Sequence, residues 1–291
     1  MVIILSDLES LQPEMLQTIV FDLDGTLYED EAHFDYYAEC LATEIPEKYK
    51  QDFFNDLKAA RQGDHTLRLG RVYDVNRDNI LSITETGKVL KAWDWQGNQL
   101  RDDRLQRVYN QPVSCDLEEM IFLGDGWWLP AACAYHYGCV DTYPCYQKTK
   151  DWLAANQEEV LSRIPGLKEF LQQLRENSFN LILATNSEAR DTERLLELLD
   201  LKGLFHNRYT SCKKPEKSRD LFTTIIDKNN LKPEELLSLG DNYLNDITPA
   251  VSLGCQAILI DPHNIYENPG TPRVSSLQDV FSNKAFTAKL F

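Results

Sequence analysis

No apolar run in this chain is long enough to cross a bilayer. Met1 to Leu5 is apolar, but Asp7 and Glu9 follow at once and no basic segment precedes it, so it does not read as a secretory signal. These absences predict a cytoplasmic protein with no membrane partner. Positive charge is also scarce. Lys and Arg number 30 against 46 Asp and Glu, a net charge of −16. That repels nucleic-acid phosphates and anionic lipid, so a polymeric nucleic acid partner is not expected. A small phosphate ester remains open, because a bound cation inverts the local field. The 7 cysteines are scattered with no Cys-x-x-Cys pair, which indicates neither a zinc site nor a disulfide framework. Cys139 and Cys145 are close in sequence, and the thiols are expected to be reduced. Internal repeats and low-complexity segments are absent as well.

What is there is enough chain for one large domain or two ordinary ones, 291 residues of ordinary globular composition. One stretch organises it: Thr18-Ile19-Val20-Phe21-Asp22-Leu23-Asp24-Gly25-Thr26-Leu27. Ile19 to Leu23 reads as a buried strand of a parallel sheet. It ends in two carboxylates and a glycine that permits a turn where a Cβ would hinder it. If the strand curls at its end, the Asp22 side chain and the Asp24 backbone carbonyl face one cation, and the Asp24 side chain is left for another task. Hard oxygen ligands suit Mg²⁺. The plainer alternative is a strand end followed by an Asp-Gly turn.

After a short leader over Met1 to Gln17 and this strand, helical spacing runs from Glu29 to about Arg61, broken by Pro46. A plain doubly wound fold would have one crossover helix here, so something is inserted. Val72 to Val75 is extended. Asn79 to Ile83 and Lys88 to Trp93 flank Thr84-Glu85-Thr86-Gly87 as a hairpin. Helical spacing resumes over Asp102 to Tyr109 and Leu117 to Leu123. All 5 tryptophans lie between Trp93 and Trp152, so the insert reads as an α+β unit with its own aromatic core. Regular α/β alternation returns from Ile164. Helices are expected at Leu167 to Glu176, Glu188 to Leu201, Lys217 to Asn229 and Asn245 to Leu253. Strands are expected at Phe179 to Ala184, within Phe205 to Ser211, at Leu236 to Leu239 and at Gln256 to Ile260. A short helix follows near Leu277 to Phe281.

Four strand ends now carry polar residues: Asp22 with Asp24, Thr185, the Lys213-Lys214 pair, and Asp241 with Asp246. In an open parallel sheet these ends share one edge, where ligands bind. Each has a structural alternative: Thr185-Asn186-Ser187 as a helix cap, Lys213-Lys214-Pro215 as a solvated loop, Gly240-Asp241 as a turn. Taken in order, they resemble the four motifs of the haloacid dehalogenase superfamily. The first is Asp22-x-Asp24-Gly25-Thr26, the second ends in Thr185, the third is Lys214 before Pro215, and the fourth is Gly240-Asp241 with Asp246 five residues on. The resemblance covers about Thr18 to Leu27 and Pro165 to Asp261. Gly124-Asp125-Gly126 imitates the fourth motif, but it precedes Thr185 and is assigned to the insert.

The resemblance implies an α/β fold, a Rossmann-like parallel-sheet core with an inserted α+β cap. The core would span 1–27 and 156–291, and the substrate-selecting cap 28–155. It implies a Mg²⁺-dependent phosphatase acting through an aspartyl-phosphate. Asp22 would be the nucleophile and Asp24 the general acid and base. Asp22, the Asp24 carbonyl and Asp241 would hold the metal, and Thr185, Asn186 and Lys214 the phosphate. Asp246 would support them through water or by orienting Lys214. The second Asp of the first motif, which the dehalogenases lack, favours phosphate chemistry. Arg71 to Tyr109 and Leu183 to Ser187 are similar to the cytosolic purine 5′-nucleotidase family, which implies a nucleoside 5′-monophosphate as substrate. Cap aromatics such as Trp93, Trp95, Trp127 and Trp128 would stack a base or simply fill the cap core. The alternatives are a sugar-phosphate or other small-metabolite phosphatase, and a catalytically silent binding protein.

Overall fold

A computed structural model of the chain describes residues 7–84, 86–116, 118–265 and 270–291. The first 6 residues of the expected leader, Glu85 of the expected hairpin loop and Leu117 lie outside the described residues. The chain divides into two compact units. One comprises Met1–Asp30 and Leu161–Phe291, the other Glu31–Val160.

In the first unit, two 3-10 turns (Asp7–Ser10 and Pro13–Met15) lead into β1 (Thr18–Phe21). All four β1 residues are buried, as a strand covered on both faces requires. The strand stops where Asp22 begins, and the next residues turn on Gly25 at φ +73°.

The inserted unit begins with α1 (Ala32–Ala42) and α2 (Lys50–Gln62), and Pro46 lies between them. Tyr37, Leu41, Phe53 and Leu57 are their buried face. A four-stranded antiparallel sheet follows: β2 (Val72–Asp74), β3 (Asn79–Ile83), β4 (Val89–Trp93) and, after α3 (Asp102–Val108), β5 (Met120–Phe122), in the order β4-β3-β2-β5. Within the span 117–123 expected to be helical, Met120–Phe122 is therefore corrected to a strand. Tyr73 pairs with Ile121 and Val72 with Phe122, and a run this short fits either period until a partner strand captures it. Two further helices, α4 (Trp128–His136) and α5 (Tyr143–Val160), complete the unit.

Back in the first unit, helices and strands alternate: α6 (Leu167–Glu176), β6 (Asn180–Ala184), α7 (Ala189–Leu198), β7 (Asn207–Tyr209), α8 (Ser218–Asn229) and β8 (Leu236–Gly240). The expected helix over 245–253 is in fact a π-turn at Tyr243–Ile247 followed by α9 (Thr248–Val251). Then come β9 (Gln256–Ile260), β10 (Arg273–Val274), α10 (Leu277–Ser282) and α11 (Lys284–Leu290). The six strands form one parallel sheet in the order β10-β9-β8-β1-β6-β7. Because β1 sits between β6 and β8, the carboxyl ends of all three strands fall side by side. No helix among the described residues is long and apolar enough to cross a membrane.

Candidate active site

The carboxyl ends of β1, β6 and β8 bring together residues far apart in sequence. Lys214, which precedes α8, is buried and sends its ammonium among them. Its Nζ donates to Asp22 Oδ1 at 2.7 Å, to Asp246 Oδ1 at 2.6 Å and to the Ala184 carbonyl at 3.0 Å. Asn186 pins the lysine backbone from both sides. Its Oδ1 accepts from Lys214 N at 2.7 Å, and its Nδ2 donates to the Lys214 carbonyl at 2.9 Å. The Asn186 amide is thus committed to placing Lys214.

Asp246 returns to the site through the π-turn, a geometry that recurs at functional positions. Asn242 N donates to Asp246 Oδ2 at 3.3 Å, and Ser238 Oγ to the Asp246 carbonyl at 2.8 Å. Gly240 is required here because a Cβ would stand 2.5 Å from Asp246 Cγ.

Asp22, Asp241 and Asp246 each offer a carboxylate oxygen, and the three lie within 4.8 Å of one another. Gly25 backs onto the Asp241 carboxylate, and a Cβ at that position would overlap it. An all-oxygen donor set with a cradle that a side chain would fill suits a hard divalent cation such as Mg²⁺. Asp22 and Asp246 each also accept from Lys214, whereas no bond from Lys214 to Asp241 is among those described.

One ammonium cannot neutralise two buried carboxylates. Burial pushes the Asp22 carboxyl up to about 8; Lys214 opposes this, and Asp246 and Asp24 add to it. Burial likewise raises Asp246 against the pull of Lys214. For Lys214, burial favours the neutral amine, but the two carboxylates together outweigh it and hold the ammonium charged. The cluster therefore carries excess negative charge that a cation or a proton must balance.

Asp24 is half-buried and gripped at both oxygens. The Tyr28 hydroxyl donates to Oδ1, and Ser187 Oγ donates to Oδ2 at 2.9 Å. Thr185 is buried at the end of β6, where its Oγ1 accepts from Ser187 N at 3.0 Å. Tyr28 and Ser187 were not among the site residues expected from the sequence. In the sequence Tyr28 reads as the first residue of the insert, and Ser187 as part of a stretch whose structural alternative is a helix cap. The only signal for either was a hydroxyl within four residues of a motif position.

Residues 136–260 match the family model described as haloacid dehalogenase-like hydrolase. Over these residues the chain is similar to haloacid dehalogenase-like hydrolases. The matched segment contains Thr185, Lys214, Asp241 and Asp246, while Asp22 and Asp24 lie outside it, on the far side of the insert in sequence. Among curated proteins, the phosphoglycolate phosphatase of Aliivibrio fischeri is 30% identical over 122 residues, 41% of this chain and 52% of that protein. The phosphoglycolate phosphatase of Vibrio parahaemolyticus is 27% identical over 107 residues, 36% of this chain and 46% of that protein. The chain spans about half the length of these relatives. Among solved structures, CbbY from Rhodobacter sphaeroides in complex with phosphate is 15% identical, with 90% of this chain and 95% of that one covered and a TM-score of 0.49.

Proposed function

We propose that this protein hydrolyses a small phosphomonoester in a Mg²⁺-dependent reaction through an aspartyl-phosphate on Asp22. The observation that carries this reading is the buried Lys214 ammonium held between Asp22 and Asp246, with the Asp241 carboxylate alongside. Bound by Asp22, Asp241 and the Asp24 backbone carbonyl, Mg²⁺ would screen the repulsion between the nucleophile and the phosphate dianion.

The chain's own groups supply the rest. The Asp22 carboxylate attacks phosphorus as the ester oxygen leaves, which splits one hard displacement into two. Asp24 gives its proton to the departing oxygen and later takes one from the water that attacks the phosphoenzyme. The Tyr28 and Ser187 hydroxyls fix the plane of the Asp24 carboxyl for both transfers. Lys214 places a positive charge at the phosphoryl oxygens. Thr185 accepts from Ser187 N and keeps its single hydroxyl proton for the same oxygens.

Two readings of the leaving group follow. The similarity of Arg71 to Tyr109 to purine 5′-nucleotidases favours a nucleoside 5′-monophosphate. The curated relatives are phosphoglycolate phosphatases, which favours a small phosphorylated acid. The rings nominated for base stacking have partners within the inserted unit. Trp95 stacks on His136 at 3.8 Å, and Trp127 packs edge-on against Phe34, Tyr37 and Tyr146. The test is a panel of nucleoside monophosphates, sugar phosphates and phosphoglycolate assayed with Mg²⁺. Turnover of none would reject phosphatase activity, and the ranking of kcat/KM decides between the two leaving groups.

A further inference from the structure

Two thiols meet inside the inserted unit. Cys40, near the end of α1, places its Sγ 2.8 Å from Sγ of Cys145, in the first turn of α5. A sulfur–sulfur bond is about 2.0 Å, so little movement separates the pair from bonding. The helices are held in register by more than the cysteines, since Tyr36 and Trp152 stack at 4.6 Å with planes 10° apart. Cys145 is wholly buried, whereas Cys40 is half-buried. Neither thiol belongs to the acidic site.

We propose that Cys40 and Cys145 form an oxidisable dithiol that a peroxide converts to a disulfide, tying the first helix of the inserted unit to its last. The Cys40 thiolate attacks one peroxide oxygen. The O–O bond breaks, Cys40 becomes a sulfenic acid, and hydroxide leaves with a proton as water. Cys145 Sγ then attacks Cys40 Sγ. The S–O bond breaks, the S–S bond forms, and a second hydroxide leaves with the Cys145 proton as water. Two electrons pass from the thiols to the peroxide, and a dithiol reductant reverses the step by attacking the more accessible Cys40 sulfur.

The order of events follows from exposure and charge. Burial raises the Cys145 thiol, and the adjoining Cys40 raises it further, so Cys145 is a poor first nucleophile but well placed to resolve a sulfenic acid. Burial also pushes the Cys115 thiol up to about 12 and the Cys212 thiol up to about 11, which slows competing oxidation. The bond would close a loop between positions 105 residues apart. It would restrict the unfolded chain, and the oxidised protein should melt higher by several degrees.

The test treats the full chain with one equivalent of hydrogen peroxide and maps thiols and cross-linked peptides under non-reducing conditions. The expected result is that two of the 7 thiols disappear, that the Cys40 and Cys145 peptides become joined, and that dithiothreitol restores both. Cys145→Ser should instead leave a sulfenic acid on Cys40 that dimedone traps, and Cys40→Ser should lose no thiol pair. The wild-type peptide map stands whether or not the variants fold. Seven free thiols after treatment, a cross-link between any other two cysteines, or a fall in melting temperature on oxidation would overturn the proposal.

Discussion

Lys214 Nζ lies 2.7 Å from Asp22 Oδ1, although 192 residues separate the two in sequence. The same ammonium reaches Asp246 at 2.6 Å. Removing it leaves two buried carboxylates without a counter-charge. Lys214→Met should cost about 3–5 kcal/mol of stability, the usual consequence of breaking a buried ion pair. It should also lower kcat/KM by about 10²-fold or more on every ester, since all carry the same phosphoryl group. Urea unfolding and the substrate panel read the two effects separately. Losses confined to some substrates would mean that Lys214 does not face the phosphoryl group.

Asp22 predicts a pH dependence with a definite sign. Its carboxyl is raised from 3.8 to about 8 in the folded protein. Between those values the native state holds more protons than the unfolded chain. Stability of the metal-free protein should therefore be greatest at the acid end of that window and fall as pH rises toward 8. Asp22→Asn removes the titration and should flatten the profile. Chemical denaturation in EDTA from pH 5 to 8 checks this, and a parallel slope in both proteins would contradict the assigned origin.

Activity should vanish on chelation and return with Mg²⁺. Asp241→Ala deletes a carboxylate ligand and should sharply raise the Mg²⁺ concentration needed for half-maximal rate. Gly25→Ala should do the same by a different route, because a Cβ would overlap the Asp241 carboxylate and φ is +73°. Calorimetric titration of Mg²⁺ into the three proteins measures it. Full activity in EDTA would remove the metal from the account.

Tyr28→Phe and Ser187→Ala each release one oxygen of Asp24. Both should lower kcat by about 10–10²-fold, the scale expected when a positioning partner of a catalytic group is lost, with little change in KM. The double variant should fall well short of the product of the two, since both act through one carboxyl. A rise in KM at constant kcat would assign the hydroxyls to substrate binding instead.

The sheet and its motif positions were legible because buried parallel strands read as unbroken apolar runs, and β1, β6 and β8 each end abruptly in a polar residue. The grip on Asp24 was not legible: Ser187 lies 163 residues away, and nothing local distinguishes it from a helix cap. The contact of Asn186 with Lys214 was not legible for a related reason. Its amide meets the Lys214 backbone across 28 residues, a contact that only the folded loops create. Inside the insert, α4 carries Leu129, Pro130, Ala131, Ala132, Cys133 and Ala134 all buried, so it lacks the one-sided period that marks an amphipathic helix. The short β5 took its state from its partner β2.

The most direct measurement is a rapid acid quench of the wild-type protein turning over a good phosphomonoester with Mg²⁺, followed by peptide mass spectrometry. A phosphoryl group should appear on the peptide carrying Asp22, accumulate further in Asp24→Asn, and be absent from Asp22→Asn, which should have lost turnover by at least about 10³-fold while keeping its fold. Near-normal kcat in Asp22→Asn, or a phosphoryl group carried elsewhere while wild type turns over, would contradict the covalent mechanism.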